Sequence, residues 1–312
     1  MRDRSDDSGE AARYAVVSAR VGTLYEREEY DAALAVINAE RATLPRYLSD
    51  LAHLAACLHA LAGNPVAALR DLQNAAAEGA WWHPRLLLDD DDLAAVRQQA
   101  GFDAVVAEAA ARSAAAQSGL RARPPVVLRP EGGAAARGLL VVLHGAGQDA
   151  AGAAARWSAA SGAGWVLVAV DSSQLSTPTY RTWPDQEVAA ADVAAALATL
   201  GPDDQGLPVV AGGFSAGARA ALLWAISAQP VPVAGVVAVS PAVWPEQTSG
   251  ATDQPTGVVL IGADDDLLPT TRDAVEPLPG VRLEVLDGLG HDYPAGFDSW
   301  LTATLEAVLT QP

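Results

Sequence analysis

The residues that could carry out covalent chemistry in this 312-residue chain lie in a few short, glycine-rich motifs. Residues 213–217 read G-F-S-A-G, after an apolar run and before an alanine-rich stretch. This pattern favours a sharp turn between a strand and a helix, which lifts the hydroxyl of Ser215 clear of the sheet. A serine hydroxyl is a weak nucleophile until a neighbouring base removes its proton. Because the chain contains 27 glycines, the motif could arise by chance. Whether Ser215 is a nucleophile therefore depends on finding a base and an acid for it elsewhere in the chain.

Candidates for a base and an acid follow the ends of other apolar runs. The second half of the chain contains two histidines, His144 and His291. We interpret the side chain of His144, which begins an H-G-A-G motif, as a structural brace, so His291 is the predicted base for Ser215. A surface loop histidine is the alternative for His291. The acid is predicted among the three aspartates 264–266; a divalent-metal site is the alternative, disfavoured because such ligands usually come from alternating positions.

Two backbone N–H groups are expected to bind the negative charge that develops on a substrate oxygen. The glycines of H-G-A-G allow the N–H of Ala146 to turn toward a substrate carbonyl, and Ala216 directly follows Ser215. We therefore predict an oxyanion hole made by Ala146 and Ala216. Gly147 is a weaker candidate donor.

Alternating strands and helices must position these motifs. Residues 139–143 are apolar throughout, as in a parallel strand that is covered on both faces. Strands are predicted over 126–128, 139–143, 165–170, 208–212, 236–239, 258–261 and 281–286, and helices over 150–161, 187–200, 216–229, 270–275 and 297–309. The prediction is an α/β fold with a doubly wound, mostly parallel sheet. Its reactive residues would lie at the carboxyl ends of the strands.

The first part of the chain reads as helix after helix, without a convincing strand. A breaker-rich joint, S-G-L-R-A-R-P-P at 118–125, separates it from the alternating part. We therefore expect an all-α helical domain over residues 1–120 and an α/β domain over 121–312.

The helical part contains an internal repeat. Y-D-A-A-L at 30–34 and P-V-A-A-L at 65–69 superpose with a shift of 35 residues (68 − 33). This period, with a small residue where two helices touch, resembles the tetratricopeptide repeat. The alternative is a generic alanine-rich helical bundle. Such repeats usually bind a peptide or a partner domain, and docking on the chain's own second domain is the simplest possibility.

Two features of the helical part receive structural interpretations. The single cysteine, Cys57, lies in an apolar helical pattern and is interpreted as a small core residue; it excludes an intramolecular disulfide. The four aspartates 89–92 are interpreted as an acidic first turn that complements a helix dipole, rather than as a metal cluster. No metal and no organic cofactor are expected.

Composition limits the partners and the location of the protein. The formal net charge is −18, which argues against nucleic acid and anionic membranes as partners. No apolar run reaches the roughly 18 residues that a membrane span needs. The charged start Met1–Asp7 is not followed by an apolar stretch, so we expect no secretory signal and a cytoplasmic location.

Taken together, the motifs resemble those of α/β-hydrolase serine esterases, closest to the compact carboxylesterase/phospholipase-type group and the dienelactone-hydrolase-like enzymes. The resemblance covers about residues 124–312 and rests on L-H-G-A-G, G-F-S-A-G, G-A-D-D-D-L-L-P and G-H at 290–291. The order serine, acid, histidine is the order of that fold. The family pattern G-x-x-D-x-x-x-P implies that Asp265 is the acid. The helical N-terminal part is a departure from the compact esterases.

The resemblance implies hydrolysis of carboxylic esters through an acyl-enzyme on Ser215, with His291 and Asp265 completing a triad. Residues 241–256 are too few for a helical lid, so the expected substrates are small or short-chain acyl esters. Trp183 and Trp244 are candidate pocket walls, and plain core packing is the equal alternative for each. A peptidase, thioesterase or acyltransferase on the same triad stays open as an alternative. So does an interaction protein with an inert hydrolase domain.

Overall fold

The computed structural model describes residues 4–133, 135–251 and 255–308. The chain divides into two compact units. We call Met1–Leu120 together with Leu175–Tyr180 the helical unit, and Arg121–Gln174 together with Arg181–Pro312 the sheet unit. The inclusion of Leu175–Tyr180 in the helical unit was not foreseen from the sequence. The charged start at residues 1–3 and the expected helix end at residue 309 lie outside the described residues.

The described residues of the helical unit form six α-helices, whose alanine- and leucine-rich faces make its core. On the second helix, Ala33, Leu34 and Ile37 are buried, as expected for apolar residues one helical turn apart. Pro65 occupies the first turn of the fourth helix, where its missing N–H costs no hydrogen bond. The helices are α1 (Arg4–Glu26), α2 (Tyr30–Glu40), α3 (Leu48–Leu61), α4 (Pro65–Ala77), α5 (Pro84–Leu88) and α6 (Phe102–Gln117).

The repeated sequence occupies equivalent places in this unit. Helices α2 and α4 begin at Tyr30 and Pro65, which reproduces the shift of 35 residues (65 − 30). The small residues of the repeat, Ala33 and Ala68, are both fully buried. The helical character of the N-terminal region is therefore confirmed, and the likeness to tetratricopeptide repeats stays a prediction.

The acidic run 89–92 begins a single turn rather than a full helix. Residues Asp91–Leu93 form a 3₁₀-helix, and the carboxylate of Asp90 caps it by accepting a hydrogen bond of 3.0 Å from the N–H of Asp92. The acidic first turn expected here is therefore the first turn of a short 3₁₀-helix, with Asp91 and Asp92 in it and Asp90 as its N-cap.

The segment Leu175–Tyr180 completes a buried hydrogen-bonding network in the helical unit. Thr177 Oγ1 donates to Asp50 Oδ1 at 2.6 Å, and the hydroxyl of Thr179 donates to Asp50 Oδ2. The N–H of His83 donates to the carbonyl oxygen of Ser176 at 2.7 Å. Asp50 is only 6% exposed. Burial raises the pKa of its carboxyl, and the two threonine hydroxyls oppose that effect.

Replacing Asp50 with alanine is expected to lower the free energy of unfolding by about 1–3 kcal/mol, because the buried Thr177 hydroxyl would lose its acceptor. Asp50→Asn is the matched control, since it removes the buried charge and keeps an acceptor oxygen. Urea unfolding of the full chain, followed by far-ultraviolet circular dichroism, measures both. Equal midpoints for the alanine and wild-type proteins would contradict the role of this network.

The sheet unit contains one seven-stranded sheet in the order β1-β3-β2-β4-β5-β6-β7. Strand β1 pairs antiparallel with β3, and the other pairs are parallel. The predicted doubly wound, mostly parallel sheet is confirmed. The strands are β1 (Val126–Leu128), β2 (Leu139–Leu143), β3 (Val166–Val170), β4 (Val209–Phe214), β5 (Gly235–Val239), β6 (Gly257–Gly262) and β7 (Val281–Leu286).

Helices cover both faces of this sheet. Side chains of β2 alternate between two apolar clusters: Leu140 and Val142 belong to one, and Leu139, Val141 and Leu143 to the other. This explains why β2 is apolar throughout. The helices are α7 (Ala150–Arg156), α8 (Ala159–Gly162), α9 (Gln186–Leu197), α10 (Ala216–Ser227), α11 (Pro245–Thr248), α12 (Leu268–Val275) and α13 (Phe297–Val308).

The single helix predicted over 150–161 is two helices, α7 and α8. They are separated at Trp157, which is fully buried and has non-helical backbone angles. Its indole N–H donates to the hydroxyl of Tyr293 at 3.1 Å, and its ring packs edge-on against Phe297. Tertiary packing of one large side chain thus interrupts a segment whose alanines favour a continuous helix.

No helix among the described residues is both long and apolar enough to cross a lipid bilayer.

Candidate active site

The turn between β4 and α10 holds Ser215 in a strained backbone conformation, with φ 53° and ψ −119°. Strain of this kind costs about 1–3 kcal/mol and persists only where the surroundings enforce it. A Cβ at Gly213 would lie 2.6 Å from the carbonyl group of Gly217. A Cβ at Gly217 would overlap the carbonyl oxygens of Leu143 and His144. Both glycines are therefore needed for the close approach of β2, β4 and α10.

A continuous chain of hydrogen bonds runs from Ser215 to a buried carboxylate. His291 Nε2 lies 3.0 Å from Ser215 Oγ, and His291 Nδ1 lies 2.9 Å from Asp265 Oδ2. The three residues come from the ends of β4, β6 and β7, at the carboxyl edge of the sheet. The structure therefore brings together the residues predicted as nucleophile, base and acid.

The turn after β6 presents one of its three aspartates to the histidine. The side chain of Asp265 is 1% exposed, and its Oδ1 accepts a hydrogen bond of 3.0 Å from the N–H of Leu267. This bond fixes the carboxyl plane and leaves Oδ2 for His291. Asp264 and Asp266 are exposed. The N–H of Asp264 also donates to the carbonyl oxygen of Leu289 at 2.9 Å, which joins this turn to the loop that carries His291.

The buried side chain of His144 supports the loop after β2 through hydrogen bonds. The N–H of Ser172 donates to His144 Nε2 at 3.1 Å, so the ring proton is on Nδ1, which faces the carbonyl oxygen of Gly145 at 2.8 Å. Burial lowers the pKa of His144, consistent with a neutral ring. This side chain therefore supports the loop, as interpreted from the sequence.

The neighbours of Ala146 already use their backbone N–H groups. The N–H of Gly147 donates to the carbonyl oxygen of Arg181 at 2.8 Å, and the N–H of Gly145 donates to Gln148 Oε1 at 3.0 Å. This arrangement disfavours Gly147 as an oxyanion donor. Ala216 is the first residue of α10, where the N–H groups of a helix point outward. The structure places Ala146 in the loop that begins beside the turn between β4 and α10, since Leu143 pairs in register with Gly213.

Two family models match the chain. Residues 134–262 match the model described as "Serine aminopeptidase, S33", and residues 14–117 match the model described as "A/B hydrolase-like, N-terminal domain". Together with the mostly parallel seven-stranded sheet, these matches decide the fold class. The protein has the α/β-hydrolase fold. No curated protein is significantly similar to it in sequence.

Several solved structures are similar to this α/β-hydrolase. An uncharacterized protein from Bacillus cereus ATCC 10987 is 22% identical, with a TM-score of 0.49, over 95% of this chain and 98% of that one. Esterase PE8 is 25% identical, with a TM-score of 0.46, over 60% and 99%. Dienelactone hydrolase from Anabaena variabilis ATCC 29413 is 20% identical, with a TM-score of 0.45, over 58% and 89%.

The two tryptophans expected at the pocket wall of the α/β-hydrolase occupy different environments. Trp183 is 1% exposed and packs in the core, where its indole N–H donates to the carbonyl oxygen of His144 at 2.8 Å. The expected place of Trp183 at a substrate-facing wall is therefore corrected: it lies beneath the loop that carries Ala146. Trp244 is 37% exposed and stands between β5 and α11. Its place at the pocket wall stays a prediction.

An aromatic cluster beside the histidine of the α/β-hydrolase was not predicted from the sequence. The ring of Phe214 lies 5.1 Å from that of His291 and stacks on Tyr293 at 4.6 Å. The guanidinium of Arg156 lies over the face of the Tyr293 ring, 4.7 Å from the ring centre. The available signal was the position of the two aromatics, one directly before Ser215 and the other two residues after His291. This packing limits the orientations of the imidazole.

Proposed function

We propose that this α/β-hydrolase is a serine esterase that cleaves small or short-chain carboxylic esters through an acyl-enzyme. The observation that carries the proposal is the hydrogen-bonded chain from Asp265 through His291 to Ser215. That geometry, with the nucleophile at a strained turn, fits acyl transfer.

In the acylation step, His291 Nε2 takes the proton of Ser215 as Oγ bonds to the ester carbonyl carbon. The carbonyl oxygen becomes an oxyanion, which accepts hydrogen bonds from the N–H groups of Ala146 and Ala216. Collapse of this intermediate breaks the bond to the alcohol oxygen, and His291 donates its proton to that oxygen. Each oxyanion donor contributes about 2.7–4 kcal/mol of transition-state stabilisation in related enzymes.

In the deacylation step, water takes the place of the alcohol. His291 removes a proton from the water, whose oxygen attacks the acyl carbon, and the bond to Ser215 Oγ breaks as Oγ regains a proton. Asp265 keeps its negative charge throughout and stabilises the imidazolium that forms in both steps. Asp265 is buried and accepts a hydrogen bond from the N–H of Leu267, and together these fix the orientation of its carboxylate.

The preference for small acyl groups is supported by the open surroundings of the triad. The side chain of His291 is 39% exposed. Between β5 and β6, the described residues 240–251 and 255–256 hold one helix, α11, of four residues. This segment offers little surface to cover a long acyl chain. An open site of this kind gains little binding energy from a long chain.

A peptidase is the second candidate, favoured by the family model of serine aminopeptidases that matches residues 134–262. The same triad would cleave an amide, and the fold does not choose between the two bonds. The helical unit is proposed to bind a protein or a segment of this chain.

A series of aryl esters tests the ester proposal. We expect kcat/KM to fall by at least about tenfold, which equals about 1.4 kcal/mol, from butanoate to dodecanoate esters. Amide and thioester analogues of the best acyl group are compared in the same assay, with Ser215→Ala protein as the background. Long-chain esters turned over as well as short ones would contradict the acyl preference, and a faster amide would favour the peptidase.

A further inference from the structure

Three potential metal ligands meet in the helical unit, apart from the serine site. His53 Nε2 lies 3.0 Å from Asp90 Oδ2, and Cys57 Sγ lies 3.5 Å from Asp90 Oδ2 and 3.8 Å from His53 Nε2. Among the residues that the structure describes, this is the group of His, Cys and acidic side chains whose ligand atoms converge. None of these three residues belongs to the triad of Ser215, His291 and Asp265 or to the loop that carries Ala146.

The distances between the three ligand atoms are similar to those between neighbouring ligand atoms around a bound metal ion. Zinc binds nitrogen and oxygen at about 2.0–2.1 Å and sulfur at about 2.3 Å, so ligand atoms in a tetrahedral shell lie roughly 3.3–3.6 Å apart. The observed values of 3.0, 3.5 and 3.8 Å lie around that range. A cation near the centre of the triangle would thus reach all three atoms after small side-chain adjustments.

The chain holds these ligands in place. His53 and Cys57 are four residues apart on α3 and therefore project from the same face of that helix. Asp90 Oδ1 is fixed by the N–H of Asp92, and Arg97 donates to the Asp90 carbonyl oxygen at 2.6 Å. Asp90 Oδ2 is consequently directed toward α3. Positioning of this kind is what a preformed metal site requires.

Without an ion, the hydrogen bonds of this group converge on a single atom. The Cys57 thiol donates to Asp90 Oδ2, and a proton on His53 Nε2 can be donated to the same oxygen. A cation between the three atoms binds each of them. The aspartates 89–92 add negative charge at this place, which favours a cation. The side chains of His53 and Asp90 are 13% and 24% exposed, so an ion can enter from solvent while Cys57 stays buried.

We propose that His53, Cys57 and Asp90 bind a divalent transition-metal ion of the zinc type, with water as the fourth ligand. A mixed nitrogen, sulfur and oxygen set suits Zn²⁺ and disfavours Mg²⁺ and Ca²⁺, which bind oxygen. On binding, the Cys57 thiol releases its proton to solvent and the sulfur–metal bond forms. The ion would link α3 to the turn that begins at Asp90.

Cobalt titration of the tag-free, chelator-treated full chain tests the proposal. Because Cys57 is the single cysteine of the chain, a thiolate-to-cobalt charge-transfer band reports this site alone. We expect one equivalent of Co²⁺ to produce that band together with the visible spectrum of a tetrahedral ion, and Zn²⁺ to displace it. A spectrum of fully hydrated Co²⁺ at saturation would overturn the proposal.

Variants assign the ligands. Cys57→Ser should lose the charge-transfer band, and His53→Gln and Asp90→Asn should weaken Co²⁺ binding at least about tenfold. The matched control is His59→Gln, because His59 Nε2 faces a carboxylate oxygen of Asp71 at 3.6 Å in the same unit without a thiol nearby. Equal affinity in His53→Gln and His59→Gln would also overturn the proposal.

Thermal unfolding with and without Zn²⁺ distinguishes loss of metal binding from loss of stability in these variants. Zn²⁺ should raise the thermal unfolding midpoint of the wild-type and His59→Gln proteins, because an ion that binds the folded state stabilises it. The same addition should leave the midpoints of Cys57→Ser and Asp90→Asn unchanged, whatever their starting values. A rise of equal size in all four proteins would indicate binding elsewhere and contradict this site.

Discussion

Replacing Ser215 with alanine is expected to lower kcat for aryl esters by about 10⁶-fold, as loss of a catalytic serine does in related triads. The hydroxyl is the atom that bonds to the acyl carbon, and no other group lies at the 3.0 Å position opposite His291 Nε2 among the described residues. Initial rates with the best aryl ester, corrected for buffer hydrolysis, measure the effect.

A fluorophosphonate probe gives a second readout that does not depend on choosing a good substrate. The wild-type protein should take up one probe per chain, and Ser215→Ala should take up none. The control is Ser227→Ala, at the far end of α10, where the hydroxyl donates to the carbonyl oxygen of Leu223 at 2.8 Å. Its labelling should equal that of the wild type. An unlabelled wild-type protein would favour an inert sheet unit and an interaction role for the helical unit.

The second large effect is expected for Asp265→Asn, which should lower kcat/KM by about 10⁴-fold. The amide of asparagine has no second acceptor, so it favours the wrong ring tautomer of His291 and leaves the imidazolium without a counter-charge. The buried setting of Asp265 excludes water that could take over this role. Steady-state kinetics on the same ester measure the loss, with circular dichroism to verify folding.

Asp264→Asn and Asp266→Asn are the matched controls, because they change the same residue type in the same turn. Both side chains are exposed, and both variants should keep kcat/KM within about twofold of the wild type, since charges in contact with water interact only weakly with the site. A large loss in either of them, with Asp265→Asn active, would overturn the assignment of the acid.

The central strands of the sheet could be predicted because they are buried on both faces. Segments such as β2 and β6 are apolar at every position, and glycine-rich motifs mark the ends of β2 and β4. The motif at each carboxyl end then followed from the rule that parallel strands present their reactive residues at one edge. The close approach that requires Gly213 and Gly217 is a local consequence of this arrangement.

Other features depend on contacts between residues far apart in sequence. The break at Trp157 is produced by Tyr293 and Phe297, more than a hundred residues later. The orientation of Trp183 is set by a carbonyl oxygen at His144. Likewise, a run of four aspartates predicts the start of a helix, and it does not predict that Asp90 contacts His53 and Cys57 on α3. Local propensity contains no information about such pairs.

The network around Asp50 has a consequence for the order in which the chain acquires its structure. Residue 120 is synthesised well before Thr177 and Thr179, and at about 5–20 residues per second the 60 intervening residues (180 − 120) take roughly 3–12 s. During that interval, the carboxylate of Asp50 has to be hydrated or paired in another way. The hydrogen bonds that hold Asp50 can therefore form only after β1, β2 and β3 have been synthesised.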